Sequence, residues 1–201
     1  MICLNDLFQK FNLNYLFSTN KKICPQCLEK FERANIIQNI HNKYQIWILY
    51  YYNDFLKSLI YQYKGKYDIE LATVFLNEYY YKIKIKYHDY LILYPPSSKI
   101  DDEKRGFIHI QEIIKNLKMP YIDGFYKVDN YKQSEQSFNE RKNIKEHIFI
   151  KKNLPIKNKK ILIIDDIITS GNTIITIINL ILKNYSPIRD IKVLIIAKSR
   201  Q

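Results

Sequence analysis

Glycine is scarce in this chain: Gly65, Gly106, Gly124 and Gly171 are the only four in 201 residues. No two of them stand at the G-x-x-x-x-G-K-[ST] spacing, which excludes a Walker A phosphate loop. Cysteine is scarcer still. Three, an odd number, argue against a disulfide framework. Long apolar runs are missing as well. The longest, Ile46 to Tyr52, is far below the roughly 18 residues of a spanning helix, so no membrane span is expected. Asn5, Asp6, Gln9 and Lys10 interrupt any apolar stretch at the start, so no signal peptide is expected. Together these features predict a cytoplasmic protein. Internal repeats and low-complexity tracts are also lacking.

What remains is ample for a packed core. Hydrophobic residues make up 47% of the chain, and its length suits one α/β domain with a small appendage. Lys and Arg number 32 against 20 Asp and Glu, giving a net charge of +12. Such a surplus favours polyanions: nucleic acid, phosphorylated metabolites or an anionic membrane face. The crowding of Ile, Lys, Asn and Tyr is that of an AT-rich coding sequence, which accounts for part of the basic excess.

Along the chain, residues 1–40 hold all three cysteines and little strand-like pattern. An aromatic and β-branched run, Tyr44 to Tyr52, reads as a strand, and Asn53-Asp54 as the cap of a helix bearing Phe55, Leu56, Leu59 and Ile60. After Lys64-Gly65-Lys66 the apolar stripe of Ile69, Leu71, Ala72, Phe75, Leu76 and Tyr79 predicts a second helix. Tyr90 to Leu93 reads as a buried strand stopped by Tyr94-Pro95-Pro96. A loop from Ser97 to Lys104 leads to a helix with Phe107, Ile110, Ile113, Ile114 and Leu117. Asp129 to Asn143 is polar and reads as a long loop merging into a short helix, and His147 to Ile150 as a strand. An amphipathic helix bears Ile174, Ile177, Ile178, Ile181 and Leu182, and Ile191 to Ala197 is the strand that closes the sheet. Alternating strands and helices predict an α/β fold, a mainly parallel sheet with helices on both faces. The expected division is 1–40, a small Cys-bearing segment, and 41–201, the main domain.

The most informative stretch is Ile161 to Thr173, ILIIDDIITSGNT. An apolar run reads as a buried strand, and the adjacent acids Asp165 and Asp166 sit at its carboxyl end, where open α/β sheets place ligands. Thr169-Ser170-Gly171-Asn172-Thr173 opens a helix whose free N–H groups and dipole can hold an anion. A Walker B strand is excluded with its partner loop. A response-regulator receiver is excluded because only 35 residues follow Asp166. Two carboxylates for sugar hydroxyls and an anion cradle just beyond them are the layout needed for a ribose 5-phosphate. The stretch resembles the signature of the type I phosphoribosyltransferases, which bind phosphoribosyl pyrophosphate (PRPP).

The resemblance extends further. Tyr63-Lys64-Gly65, Glu70-Leu71-Ala72, Lys104-Arg105-Gly106-Phe107, then Gln136, Glu140-Arg141 and Asn143, in that order before the signature, resemble the ComF (competence protein F) family. That resemblance covers nearly the whole chain. It implies a zinc-bearing N-terminal segment fused to a type I phosphoribosyltransferase fold, acting in DNA uptake during natural transformation, with proteins of the uptake machinery as further partners. It also implies PRPP with Mg²⁺ as the ligand. Asp165 and Asp166 would hold the ribose hydroxyls and be the catalytic residues of any turnover. Thr169, Ser170, Gly171, Asn172 and Thr173 would complete the PRPP site. Ser97, Ser98 and Lys99 correspond to the pyrophosphate loop, with Arg105 and Arg141 closing over it.

Departures are equally specific. The family's four-cysteine knuckle reads here as Cys3-x2-Asp6 and Cys24-x2-Cys27. Paired x2 spacing suits tetrahedral Zn²⁺, and carboxylate is an accepted zinc ligand, so Cys3, Asp6, Cys24 and Cys27 are the candidate metal set. A knuckle held by packing alone stays open. The family's Gly-Phe-Asn-Gln continues here as Gly106-Phe107-Ile108-His109, and His109 is expected to be a local hydrogen-bonding residue. Lys82, Lys84 and Lys86, interleaved with tyrosines, are candidates for single-stranded DNA, phosphates meeting lysines and bases stacking on rings. A helix end or strand with one solvated lysine face is the plainer alternative. Two functions therefore remain: a PRPP-binding DNA-uptake factor, and a transferase moving ribose 5-phosphate to a base or amine acceptor.

Overall fold

A computed structural model describes residues 23–40, 42–127 and 148–200. Among them a short helix, α1 (Pro25–Glu29), leads to the hairpin β1 (Arg33–Ile40) and β2 (Tyr44–Tyr51). Next come α2 (Asp54–Gly65), a 3-10 helix (Ile69–Thr73), α3 (Tyr80–Lys86) and β3 (Tyr90–Leu93). Helices α4 (Lys99–Arg105) and α5 (His109–Lys115) precede β4 (Tyr121–Ile122) and a small pair, β5 (Phe125–Lys127) and β6 (Ile148–Ile150). The chain ends with β7 (Lys160–Ile168), α6 (Asn172–Tyr185) and β8 (Asp190–Lys198).

The main sheet has the order β1-β2-β8-β7-β3-β4, parallel except for the antiparallel edge strand β1. Both faces are covered. Along β7 the two-residue period of a strand sends Leu162 and Ile164 to one side and Ile161 and Ile163 to the other. The first side packs on Leu59 and Tyr63 of α2, Phe75, Ile83 of α3 and Ile113 of α5. The second packs on Ile174, Ile177, Ile178 and Ile181 of α6 and on Phe125 and Ile148 of the small pair. This is the mainly parallel, doubly covered α/β sheet that the alternation of elements predicts. No helix among the described residues is long and apolar enough to cross a membrane.

Four local expectations change. The sheet begins at Arg33, not after residue 40: β1 lies inside the segment expected to stand apart, so the expected boundary falls in the β1–β2 hairpin. Its strand pattern was weak because an edge strand faces solvent along much of its length. The helix expected from Ile69 to Tyr79 is a 3-10 turn followed by irregular turns, with α3 starting only at Tyr80. Leu71 and Ala72, then Val74, Phe75 and Leu76, are all buried, and consecutive burial does not fit one helical stripe. The loop expected from Ser97 to Lys104 is largely α4. It buries no apolar residue, so it has no apolar period; its signals are polar, with Ser98 accepting from the Asp101 amide, acids in the first turn, bases in the last, and Gly106 at φ 80° after it. Strand β8 does not close the sheet but lies inside it, because the α6 crossover returns it beside β7.

Leu162 is fully buried on the central strand. Leu162→Ala is expected to cost about 2–5 kcal/mol in a denaturant titration, whereas Ile85→Ala on α3 should stay within about 0.5 kcal/mol. Ile85 is 76% exposed. Similar losses at the two positions would contradict this packing.

Candidate active site

The sheet order places a switch point between β3 and β7. From β3 the chain crosses to β4 on one side, and from β7 it crosses to β8 on the other. The loops leaving the carboxyl ends of β3 and β7 therefore diverge and leave a crevice, the usual ligand position in such sheets. Leu93, the last residue of β3, pairs with Ile163, so Asp165 and Asp166 stand beyond the end of β3.

Being adjacent on a strand, the two acids point to opposite faces. Asp166 shares the face of Leu162 and Ile164, under α2 and α5. Asp165 shares the face of Ile161 and Ile163, under α6. Each carboxylate accepts a backbone amide: Asp165 Oδ1 from Asp166 N at 2.9 Å, and Asp166 Oδ1 from Ile167 N at 2.8 Å. The buried Oδ2 of Asp166 lies against the Lys64 ammonium, in the last turn of α2, and 3.4 Å from His109 Nε2, at the start of α5. At that length the imidazole contact is chiefly electrostatic.

Arg105 ties this group together. Its Nη1 donates to Asp102 Oδ1 at 3.1 Å and lies 3.3 Å from His109 Nδ1, and its Nε donates to the Lys64 carbonyl at 3.3 Å. Tyr63 Oη donates to the His109 carbonyl at 2.5 Å, and Ser97 Oγ donates to Asp102 Oδ2. The Arg105 side chain is 8% exposed, so the solvated head that is the bland expectation for a residue near a helix end is not found.

Burial by itself raises the carboxyl of Asp166, but the His109 contact and the Lys64 ammonium outweigh it and hold Asp166 well below the usual carboxylate range. Asp165 is half-buried yet densely surrounded, and burial, with the Asp166 charge beside it, pushes its carboxyl up to about 8. Burial also lowers the imidazole of His109, and the nearby Lys64 and Arg105 cations offset the pull of Asp166.

The turn after β7 leaves Thr169, Ser170 and Asn172 exposed, with Thr173 half-buried. Gly171 caps α6 at φ 77°, and a Cβ there would stand 2.6 Å from Ile40 Cδ1 of β1, so only glycine fits. Beside the turn a cleft of about 320 Å³ is lined by Gln38, Asn39, Ile168, Thr169, Ser170 and Lys198. A larger cavity, about 780 Å³, lies on the helical layer around Ile69, Tyr81 and Lys84, and of the expected site residues it touches only Lys84.

The other expected residues are placed as follows. Ser97 and Ser98 spend their hydroxyls on Asp102 and the α4 cap, and Lys99 extends to Glu103 at 3.7 Å. Arg141, Cys3 and Asp6 lie outside the described residues. Cys24 caps α1 and its Sγ accepts from Cys27 N at 3.4 Å, so one turn presents both sulfurs, while Cys27 packs among Ile23 and Phe31. Two sulfurs on one turn fit half of a tetrahedral zinc set. Among the described residues no group of three or more His, Cys, Asp or Glu is arranged to hold a metal. Lys82, Lys84 and Lys86 do not form one face: α3 is helical, so Lys82 and Lys86 share a side and Lys84 points away. Each ammonium lies over a ring, Lys82 over Tyr79, Lys84 over Tyr80 and Lys86 over Trp47. Tyr79 and Tyr87 belong to the core rather than to a stacking surface, whereas Tyr81 is 54% exposed. Lys64 and His109 were not expected at the site. Lys64 lay in the Tyr63-Lys64-Gly65 motif, but no sequence spacing links α2 to β7.

The opposed shifts of the acids make stability depend on pH. Asp165 keeps its proton in the folded state up to about 8 but loses it near 4 when unfolded, so its contribution falls as pH rises between those values. Asp166 acts oppositely: its stabilisation is present above the unfolded value near 4 and is lost as pH falls below it. Asp165→Asn should therefore flatten the fall in melting temperature between about pH 5 and pH 8. Parallel wild-type and variant curves in that window would contradict the protonated Asp165.

Residues 103–201 match the family model of the phosphoribosyl transferase domain. Competence protein ComFC of Bacillus subtilis (strain 168) is 25% identical over 187 residues, 80% of this chain and 78% of that protein. Competence protein ComFC of Streptococcus pneumoniae (strain ATCC BAA-255 / R6) is 30% identical over 161 residues, 75% of this chain and 70% of that protein. Among solved structures, a hypoxanthine phosphoribosyltransferase from Staphylococcus aureus overlaps 62% of this chain and 61% of its own at 18% identity, with a TM-score of 0.38, too loose a likeness to bear on the site. On the identity and coverage of these competence proteins, this chain belongs to the ComF family, with a phosphoribosyl transferase domain over its second half.

Proposed function

We propose that the crevice at the ends of β3 and β7 binds PRPP with Mg²⁺, and that the protein serves DNA uptake during natural transformation. The observation that carries this reading is a charged, buried Asp166 at the switch point, followed at once by the exposed Thr169–Ser170 turn and the amino end of α6. Asp165 and Asp166 accept the ribose hydroxyls. Thr169, Ser170, Gly171, Asn172 and Thr173 cradle the 5-phosphate with hydroxyls and amides. The pyrophosphate then extends toward Ser97, Ser98 and Lys99, with Arg141 as a closing cation. Mg²⁺ arrives with the ligand and offsets the charge of the pyrophosphate. Arg105, already bonded to Asp102, Lys64 and His109, serves this site from within.

Zinc on Cys3, Asp6, Cys24 and Cys27 belongs to the same reading, supported by the paired sulfurs on α1. The macromolecular partner is single-stranded DNA, supported by the +12 charge rather than by a lysine stripe on α3.

Calorimetric titration with PRPP and Mg²⁺ is expected to give saturable binding that Asp165→Ala/Asp166→Ala abolishes. Unchanged affinity in the folded double variant would refute the site. The same purified protein should hold about one zinc by elemental analysis, and a metal-free protein whose melting temperature ignores chelator would remove the zinc proposal. In anisotropy measurements with a labelled oligonucleotide, log affinity should fall with log salt by about 0.7 per phosphate neutralised. Failure to bind even at low salt would leave the basic surplus without this role.

A further inference from the structure

The site's main acid is held from two helices at once. Asp166 leaves β7 toward the helical layer, and its two oxygens meet different surroundings. Oδ2 has essentially no exposure and accepts no hydrogen bond of ordinary geometry; it lies in ion-pair contact with the Lys64 ammonium and 3.4 Å from His109 Nε2. The whole side chain keeps 11% exposure, which must therefore lie on its other atoms. Oδ1 accepts one bond, from Ile167 N, and a carboxylate oxygen has room for two. With Oδ2 enclosed, Oδ1 is the oxygen left with acceptor capacity for a ligand hydroxyl.

The proton on His109 follows from its neighbours. A guanidinium only donates, so the Nδ1 atom facing Arg105 Nη1 must be a bare acceptor. The ring proton then belongs on Nε2, facing Asp166 Oδ2. Arg105 also bonds the Lys64 carbonyl, and Tyr63 bonds the His109 carbonyl, so the last turn of α2 and the first of α5 are fixed against each other.

We infer that Lys64 and His109 are positioning residues: together they clamp Oδ2 of Asp166, so that Oδ1 is presented as a charged acceptor to a ligand hydroxyl. The inference rests on the PRPP reading for the ligand but not for the clamp itself. Lys64 supplies the counter-charge, and the His109 ring closes the other side of Oδ2. Among the described residues, Asp165, Tyr52 beyond β2 and Tyr63 on α2 also couple to the Asp166 charge, and the Arg105 guanidinium stands behind His109. Without Lys64 the buried carboxylate faces only a neutral imidazole, and protonation becomes its easiest relief.

Two measurements on the full chain test this. In ligand-free protein with ¹⁵N-labelled histidine, His109 should appear at neutral pH as the neutral Nε2–H tautomer; an Nδ1–H or doubly protonated ring would overturn the clamp. In calorimetric titrations with PRPP and Mg²⁺, Lys64→Met should weaken binding by about tenfold or more and Lys64→Arg should restore it to within a few-fold. The Lys64→Met loss should shrink as pH rises and Asp166 ionises again, which a purely structural role would not produce. If Lys64→Met does not fold, His109→Phe against His109→Gln decides, because the glutamine amide can still donate toward Oδ2. Wild-type affinity in folded Lys64→Met or His109→Phe, with Asp165→Ala/Asp166→Ala inactive, overturns this inference alone. Wild-type affinity in the double variant overturns the PRPP reading instead.

Discussion

A carboxylate buried at the end of a central strand has to be met by a cation, and much of this fold is organised around that requirement. Strand β7 lies between β8 and β3 with apolar layers on both faces, so Asp166 has little access to water. Burial alone would neutralise it. Lys64 comes to it from the last turn of α2, where a cation also suits the helix dipole. The pairing ties the last turn of α2 to β7, and Arg105 and Tyr63 tie that turn to the start of α5.

The same strand treats its second acid differently. Asp165 faces the α6 layer, where no ammonium is paired with it among the described residues, and burial with a neighbouring negative charge favours its protonated form. Two identical side chains one residue apart are thus pushed in opposite directions because the pleat sends them into different layers. Scarcity of glycine sharpens the geometry beyond them. Gly171 is the residue that lets the chain turn from β7 into α6 at a positive φ while Ile40 presses against it.

Much of the architecture was legible because it rests on local patterns. The apolar run before Asp165, the turn at Thr169–Gly171, the Asn53 cap and the stripe of α6 all depend on residues within a few positions of one another. Elements without an apolar period were misread. Strand β1 is half solvated, α4 buries no apolar residue, and the run from Ile69 buries too many consecutive residues to show a stripe. The interleaving of lysines with tyrosines on α3 does not make one binding face, because alternate positions of a helix point to different sides.

Periodicity and short-range chemistry are enough to give a doubly covered parallel sheet, a strand that carries two adjacent acids and the Thr-Ser-Gly turn beyond it. Only the tertiary structure decided which of the acids is charged, and why Arg105 is an internal clasp rather than a solvated head. Lys64 and His109 stand 102 and 57 positions before Asp166 in the chain, and no spacing rule joins residues so far apart. The crossover that lays α2 and α5 over β7 is what brings them to one oxygen atom.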